Sequence, residues 1–318
     1  MAFSNYSIED VTTNDSQVPF LLFQLSYGTP SLLLMFFFLV FLGCSQKFTN
    51  SFYRLVQLDL ITNILCYSNN WIALRVRGSM FGVSMLKALE TLLPGCLTWS
   101  AYLVRWFLHM QFWSAAALGT HRITSVLFPH QSEKFWARWY LLYGLAGCLY
   151  STLPEFSYPG KTVIIAFNDG VLTTHVDVER GNWEVTMIAV FSTCYFVVLS
   201  GIGLTTVYQF NKNVQAFSSS HDIIKRKLTR VALTNTLLYL GILLWSVTSA
   251  INFKFKIFPK LNLSSSPILT VASDMVTLCL PYLLLTFDSN VRSDLVRRVR
   301  TALFAPKITP GLVSTTRI

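Results

Sequence analysis

Apolar residues in this chain gather into long blocks. Seven blocks are long enough to cross a lipid bilayer: Phe20–Gly43, Phe52–Leu74, Leu97–His121, Phe135–Phe156, Glu184–Phe210, Leu228–Phe253 and Pro267–Phe287. A helix rising about 1.5 Å per residue needs about 20 apolar residues to cross a hydrocarbon core about 30 Å thick. The pattern therefore predicts an all-α integral membrane protein, a seven-transmembrane helix bundle over residues 20–287. The second and third blocks carry ionisable groups, Arg54 and Asp59 in one, Arg105 and His109 in the other. Val76–Thr91 is not an eighth span, because Arg77, Lys87 and Glu90 interrupt it. Between the fourth and fifth blocks, two β-prone runs, Thr162–Phe167 and Val171–Val178, flank Asn168-Asp169-Gly170. That arrangement predicts a hairpin covering one end of the bundle. After the seventh block, Ser293-Asp294 reads as a helix cap. Leu295, Val296, Val299, Leu303 and Phe304 follow at helical spacing, with Arg297, Arg298 and Arg300 on the other faces and Pro306 as the stop. The expectation is a short amphipathic helix on the inner leaflet, within a cytoplasmic tail of residues 288–318. Residues 1–19 form an external segment.

Composition agrees with a lipid environment. Hydrophobic residues make up 53% of the 318 and charged residues 13%, about half the share of a typical soluble domain. Mean hydropathy is +0.49. The six cysteines all lie in or beside the predicted spans, and the loop Glu155–Trp183 has none, so Cys96 has no loop partner for a disulfide. No Cys/His spacing suggests a metal, and no cofactor motif is present.

The net charge of +10 suggests nucleic acid only until the charges are placed. Sixteen of the 25 Lys/Arg fall on the side opposite the N-terminus and eight on the N-terminal side, with Arg105 inside a span. The positive-inside rule then sets the N-terminus outside and the C-terminus in the cytosol, as expected of a multi-pass plasma-membrane protein. No nucleic-acid role remains to be assigned. The first 18 residues lack a charged n-region, so the first span is expected to be retained. The sequons at Asn5, Asn14 and Asn262 all fall on the external side and are glycosylation candidates.

No catalytic motif is present, and the short loops leave no room for a catalytic domain. The informative residues are polar groups inside spans, which are costly there and therefore candidates for function. Arg105 lies roughly 12 Å below the external end of its span and Asp274 roughly 10 Å below the end of its own. They are expected to share a level, either as a structural pair or as part of a ligand site. His109 lies one turn deeper on the Arg105 face, and Asn69, Asn70 and Trp71 occupy the outer turns of the second span. Together these define a polar patch that a small molecule could reach from outside, with Arg105 hinting at an acidic or carbonyl group. Asp59 lies deeper, near the level of Pro281 and Tyr282. It could bind a cation, or simply hydrogen-bond Asn63 and Tyr282 in a structural or switching role. At the cytoplasmic ends, Arg122, Lys225, Arg226, Lys227 and Arg230 could form a basic rim for a partner, or simply enforce topology.

Three stretches carry a resemblance. They are Phe52-Tyr-Arg-Leu-Val-Gln-Leu-Asp-Leu60 with Thr62-Asn63, then Arg122-x-Thr124-Ser125-Val126-x-x-Pro129, and finally Ser273-Asp274-x-x-Thr277-Leu278-x-Leu280-Pro281-Tyr282 followed by Phe287-Asp288-Ser-Asn290-Val-Arg292. In these the chain resembles the nematode serpentine receptors of class gamma, over roughly residues 20–300. The resemblance implies a chemosensory receptor in a sensory-cell membrane, with a small-molecule ligand and a heterotrimeric G protein as partners. It also implies that Arg122 takes the place of the arginine in the rhodopsin-like Asp-Arg-Tyr motif. Here, however, His121 precedes Arg122 and Ile123 follows it. Asn-Pro-x-x-Tyr and Cys-Trp-x-Pro are also missing, with Leu280-Pro281-Tyr282 and a proline-free Trp245 in their places. A transporter or ligand-gated channel is the competing reading. It would call for internal repeats and broken helices, and the sequence shows no repeat.

Overall fold

The structure, a computed structural model, describes residues 6–10, 18–157, 164–168, 171–214, 220–255 and 261–304. The helices among these are α1 (Val18–Cys44), α2 (Ser51–Asn70), α3 (Met80–Leu92), α4 (Cys96–Leu127), α5 (Pro129–Ser157), α6 (Val178–Val214), α7 (Ser220–Phe255), α8 (Leu261–Leu278), α9 (Leu280–Phe287) and α10 (Ser289–Phe304). Each of the seven apolar blocks lies on a helix, the last of them on α8 and α9 together.

The packing inverts that of a water-soluble bundle. Large apolar side chains such as Leu33 and Val40 on α1, Leu145 and Leu149 on α5, and Val197 and Leu204 on α6 face outward. Gln24, Asn63, Gln111, Ser114 and Thr277 are buried. A low-dielectric surrounding favours this arrangement, because polar groups then find partners only inside. By length and composition alone, α1 and the Trp183–Gln209 part of α6 could cross a bilayer, and the bent pair α8–α9 adds a third. α2 and α4 are less apolar overall because each turns a row of polar residues inward. α4 lies at the centre, packed against α2, α5 and α6, and α6, α7 and α8 follow around it. α1 closes the ring against α2, α8 and α9.

Local chemistry sets the helix ends. Asn50 caps α2 by accepting from the Tyr53 N–H at 3.2 Å. After Asn70 the second block continues as a π-helical turn, Trp71–Arg75, and a 3₁₀ turn, Val76–Gly78. Pro281 lacks the N–H a continuous helix would use, and the axis bends by 43° between α8 and α9.

Two expectations need correction. The chain is not purely α. The predicted hairpin forms as β2 (Ile164–Asn168) and β3 (Val171–Asp177), and a third strand, β1 (Tyr6–Asp10), joins it in the order β1-β3-β2. β1 runs antiparallel to β3 from Tyr6↔Asp177 to Asp10↔Thr173. The N-terminal segment therefore contributes a strand, because the open edge of β3 offers unpaired backbone groups that β1 satisfies. Second, the tail helix begins at Ser289. Asp288 is its cap, accepting from the N–H groups of Asn290 (2.9 Å) and Val291 (3.2 Å). Asp294 lies inside α10 and pairs with Lys47 at 3.0 Å, Arg297 at 2.6 Å and Arg298 at 2.9 Å. The Lys47 ammonium, with Arg298 and Arg297 behind it, holds the Asp294 carboxyl below its ordinary value. This contact ties the tail helix to the turn between α1 and α2.

Candidate functional site

In the half of the bundle that carries the sheet, a cavity of about 100 Å³ opens among α2, α4, α6, α7 and α8. Its wall is apolar, built from side chains such as Leu74, Val104, Leu108, Ile188, Ile242 and Leu269, with Asn70, Arg105, Gln111, Trp245 and Ser273 between them. Asn70 donates to the Ser273 hydroxyl at 3.1 Å and to the Cys66 sulfur at 3.6 Å. Gln111 spends both amide hydrogens, on Asn63 Oδ1 at 2.8 Å and Thr277 Oγ1 at 2.9 Å, and so links α2, α4 and α8.

Arg105 reaches this cavity but not Asp274. Its guanidinium donates twice to Glu155 on α5 and once to Glu184 on α6, each at 3.2 Å. Arg180 pairs with the same two carboxylates, at 2.9 Å to Glu184. Two arginines and two glutamates thus balance one another across α4, α5 and α6. Of the two readings open for Arg105 and Asp274, the structural pair does not form. Equal depth did not make them neighbours, because Arg105 points toward α5 and α6 while Asp274 points toward α1 and α2.

Asp274 belongs to a separate set. It forms an ion pair with Arg75 and accepts from the Tyr27 hydroxyl at 2.5 Å. Both charged side chains are almost wholly buried, at 1% and 2% exposure. The Arg75 guanidinium also lies over the rings of Tyr67 (4.6 Å) and Trp71 (5.0 Å). Arg75, which the charge count assigned to the external side, is brought inward by the π-helical turn, whose extra residue per turn rotates the backbone. Sequence reasoning also missed Tyr27, Gln111, Glu155, Arg180 and Glu184. For Glu155 and Glu184, the available signal was the need of a buried Arg105 for carboxylates.

The remaining candidates disperse. Asn69 exchanges hydrogen bonds with Ser100, giving to its carbonyl at 3.0 Å and taking from its hydroxyl at 2.9 Å. His109 turns to the Tyr195 hydroxyl at 2.9 Å, against the Phe191 ring, and does not line the cavity. Asp59 accepts from Ser114 at 2.6 Å. Tyr282 meets Ser31 at 2.8 Å and not Asp59.

The other half of the bundle holds a larger cavity, about 280 Å³, running from Asp59 and Asn63 to Arg122 and Asp288. Arg122 stands at its rim over the Phe52 ring, 5.7 Å from the centroid. Beside it, the residues around His121 fasten the helix ends together. Ser51 bonds His121 Nε2 at 2.8 Å and gives both its N–H and its hydroxyl to Glu133, while Trp136 donates to Thr124 at 3.0 Å. Lys225, Arg226, Lys227 and Arg230 lie on the backbone of α7, which extends the sixth block by more than two turns as their continuity with Leu228 suggests. Their side chains, and that of Asn262 in the first turn of α8, lie outside the described residues, as do Asn5 and Asn14 entirely.

The Srg family chemoreceptor model matches residues 21–295 of this chain. Serpentine receptor class gamma-47 of Caenorhabditis elegans is 34% identical over 282 residues, which cover 87% of this chain and 90% of that receptor. Serpentine receptor class gamma-53 of the same organism is 30% identical over 271 residues, covering 85% of this chain and 88% of its own.

Proposed function

This chain belongs to the Srg chemoreceptor family, and from that premise we propose that it binds a small external molecule in the cavity beside Arg105 and signals to a heterotrimeric G protein at the opposite end. The reading places seven spans in the plasma membrane of a sensory cell, with the N-terminus and the three-stranded sheet outside. The observation that carries it is the pairing of a small, mostly apolar cavity at one end with a larger one rimmed by Arg122 at the other. Because Glu155 and Glu184 already balance Arg105 and Arg180, the ligand is uncharged. An acidic ligand would have to displace a carboxylate. Its size is modest too, since an engineered apolar cavity of about 150 Å³ accommodates benzene.

Binding acts by favouring one of two arrangements of the bundle, so the ligand must bind them unequally. The inner ends of α4 and α7 then part around Arg122. The basic residues Lys225, Arg226, Lys227 and Arg230 supply a rim complementary to an acidic partner surface. Asp59 and Asn63, at one end of the larger cavity, with Pro281 and Tyr282 on α9, are the candidate switch. Sequons at Asn5, Asn14 and Asn262 are the candidate glycan sites.

The test is one cell line, exposed to a panel of small neutral molecules and to carboxylates of the same size, read for G-protein nucleotide exchange and for ion current. Exchange without current, elicited by neutral compounds, is the expected result. Changing Arg122 to glutamine, or Lys225–Lys227 to neutral polar residues, should abolish exchange at normal surface level and leave ligand binding intact. Current without exchange would replace the receptor reading with the channel one.

A further inference from the structure

The short external helix α3 is held rigidly at both ends. The Ser79 hydroxyl oxygen caps it by accepting from the Gly82 N–H at 3.0 Å. At the other end Glu90 accepts from the N–H groups of Gly95 and Leu97, which fixes α3 to the start of α4. Burial alone would raise the Glu90 carboxyl, but these two N–H groups outweigh it and hold it below its ordinary value.

At about 100° per residue, the side chains of α3 divide into three sectors. Gly82, Leu86 and Leu89 face the protein, where Leu86 is wholly buried beside Val76, Leu97 and Leu172. Ser84, Lys87 and Thr91 form an exposed polar sector. Phe81, Met85, Ala88 and Leu92 form an exposed apolar sector spanning about 60°. Phe81 is 80% exposed and Leu92 77%. A helix lying in water beside a bundle has no reason to keep its exposed apolar and polar residues on separate strips. Just past the helix, Leu93, and in the first turn of α4, Trp99, are also exposed, and a tryptophan near a helix end is a common mark of a membrane–water boundary.

We propose that α3 is an in-plane interfacial helix whose Phe81–Leu92 strip lies in the outer leaflet, at the boundary of headgroups and acyl chains, with the Lys87 strip in water. The occupant is the lipid surface. Separation of the two strips along the helix axis, together with exposed Leu93 and Trp99 just beyond it, favours lipid over a protein partner. The choice of leaflet rests on the orientation proposed above. The contact with lipid does not.

The test uses the full chain in phosphatidylcholine nanodiscs, with the exposed Cys44 and Cys194 changed to alanine and a nitroxide placed singly by Met85→Cys, Lys87→Cys or Leu92→Cys. Collision with oxygen, which partitions into lipid, should exceed collision with a water-soluble nickel chelate several-fold at Met85 and Leu92. At Lys87 the order should reverse. Equal chelate access at all three sites would overturn the proposal. So would exclusion of both reagents at Met85 and Leu92, which would mean that a second copy covers the strip. If Met85→Cys does not express, Leu92→Cys reads the same sector. A membrane-impermeant thiol reagent on intact cells then separates the two claims. Reaction at Lys87→Cys only after permeabilisation would overturn the orientation and the outer-leaflet assignment together, whereas the nitroxide pattern reports the lipid contact independently.

Discussion

Asp274→Asn is the most informative substitution in the bundle. It keeps the shape of the side chain and an oxygen for the Tyr27 hydroxyl, and replaces the carboxylate oxygen that faces Arg75 with an uncharged amide group that cannot accept from it. A guanidinium cannot shed its proton inside a protein, so Arg75 is left charged, 3% exposed and without its carboxylate. Breaking a buried pair in this way costs about 3–5 kcal/mol. The rings of Tyr67 and Trp71, at 4.6 and 5.0 Å, lie against Arg75 in both forms and so leave the difference unchanged. A loss of about 3–5 kcal/mol is expected. Arg75→Gln should cost less, because the stranded carboxyl can take up a proton. The double variant Arg75→Met with Asp274→Leu should recover most of the loss, since apolar replacement of both partners is often neutral. The assay is thermal unfolding of detergent-solubilised receptor alongside its surface level. Arg105→Gln combined with Asp274→Asn should be additive, because the two residues share no partner. The reasoning is refuted if the double apolar variant is no more stable than Asp274→Asn alone, or if Arg105 and Asp274 prove strongly coupled.

The tail helix should respond to acid. The Asp294 carboxyl is depressed by Lys47 and the neighbouring arginines. Its stabilisation of α10 is therefore complete above the ordinary carboxylate value of 3.8 and is lost as pH falls through the lowered one. Protection factors for hydrogen exchange in α10 in nanodiscs, corrected for the intrinsic pH dependence of amide exchange, should stay constant from neutrality to about pH 5 and fall only below about pH 4, and Asp294→Asn should lower protection throughout. A second site is Gly82, where an added Cβ would fall 1.8 Å from the Val76 carbonyl oxygen. Gly82→Ala must shift backbone, so it should cost at least about 1–3 kcal/mol and loosen the Ser79 cap, read as a lower unfolding temperature, whereas Ala88→Gly on the exposed strip should cost about 1 kcal/mol or less.

Chain pattern alone located the helices that carry the seven apolar blocks, the hairpin and the tail helix, but not α3, because the length of an apolar block and the alternation of a β-prone run are properties of consecutive residues. The stretches containing Asp59-Leu60, Thr124-Ser125 and Ser273-Asp274 were likewise sufficient to indicate the family. The partners of the buried charges were not readable in this way. Depth along a helix comes from counting residues, but the direction a side chain faces depends on helix rotation. At Arg75 a single π-helical turn changes that rotation and carries a residue counted as external into a pair with Asp274. Arg105 shows the same limit from the other side, since its carboxylates come from Glu155 and Glu184, 50 and 79 positions away along the chain. β1 could not be foreseen either, because five residues become a strand only when the open edge of β3 is there to receive them. Pattern along the chain fixes which segments are helical and apolar. Which polar groups meet is decided by the packing of helices around α4, since a buried charge finds its partner across space and not along the sequence.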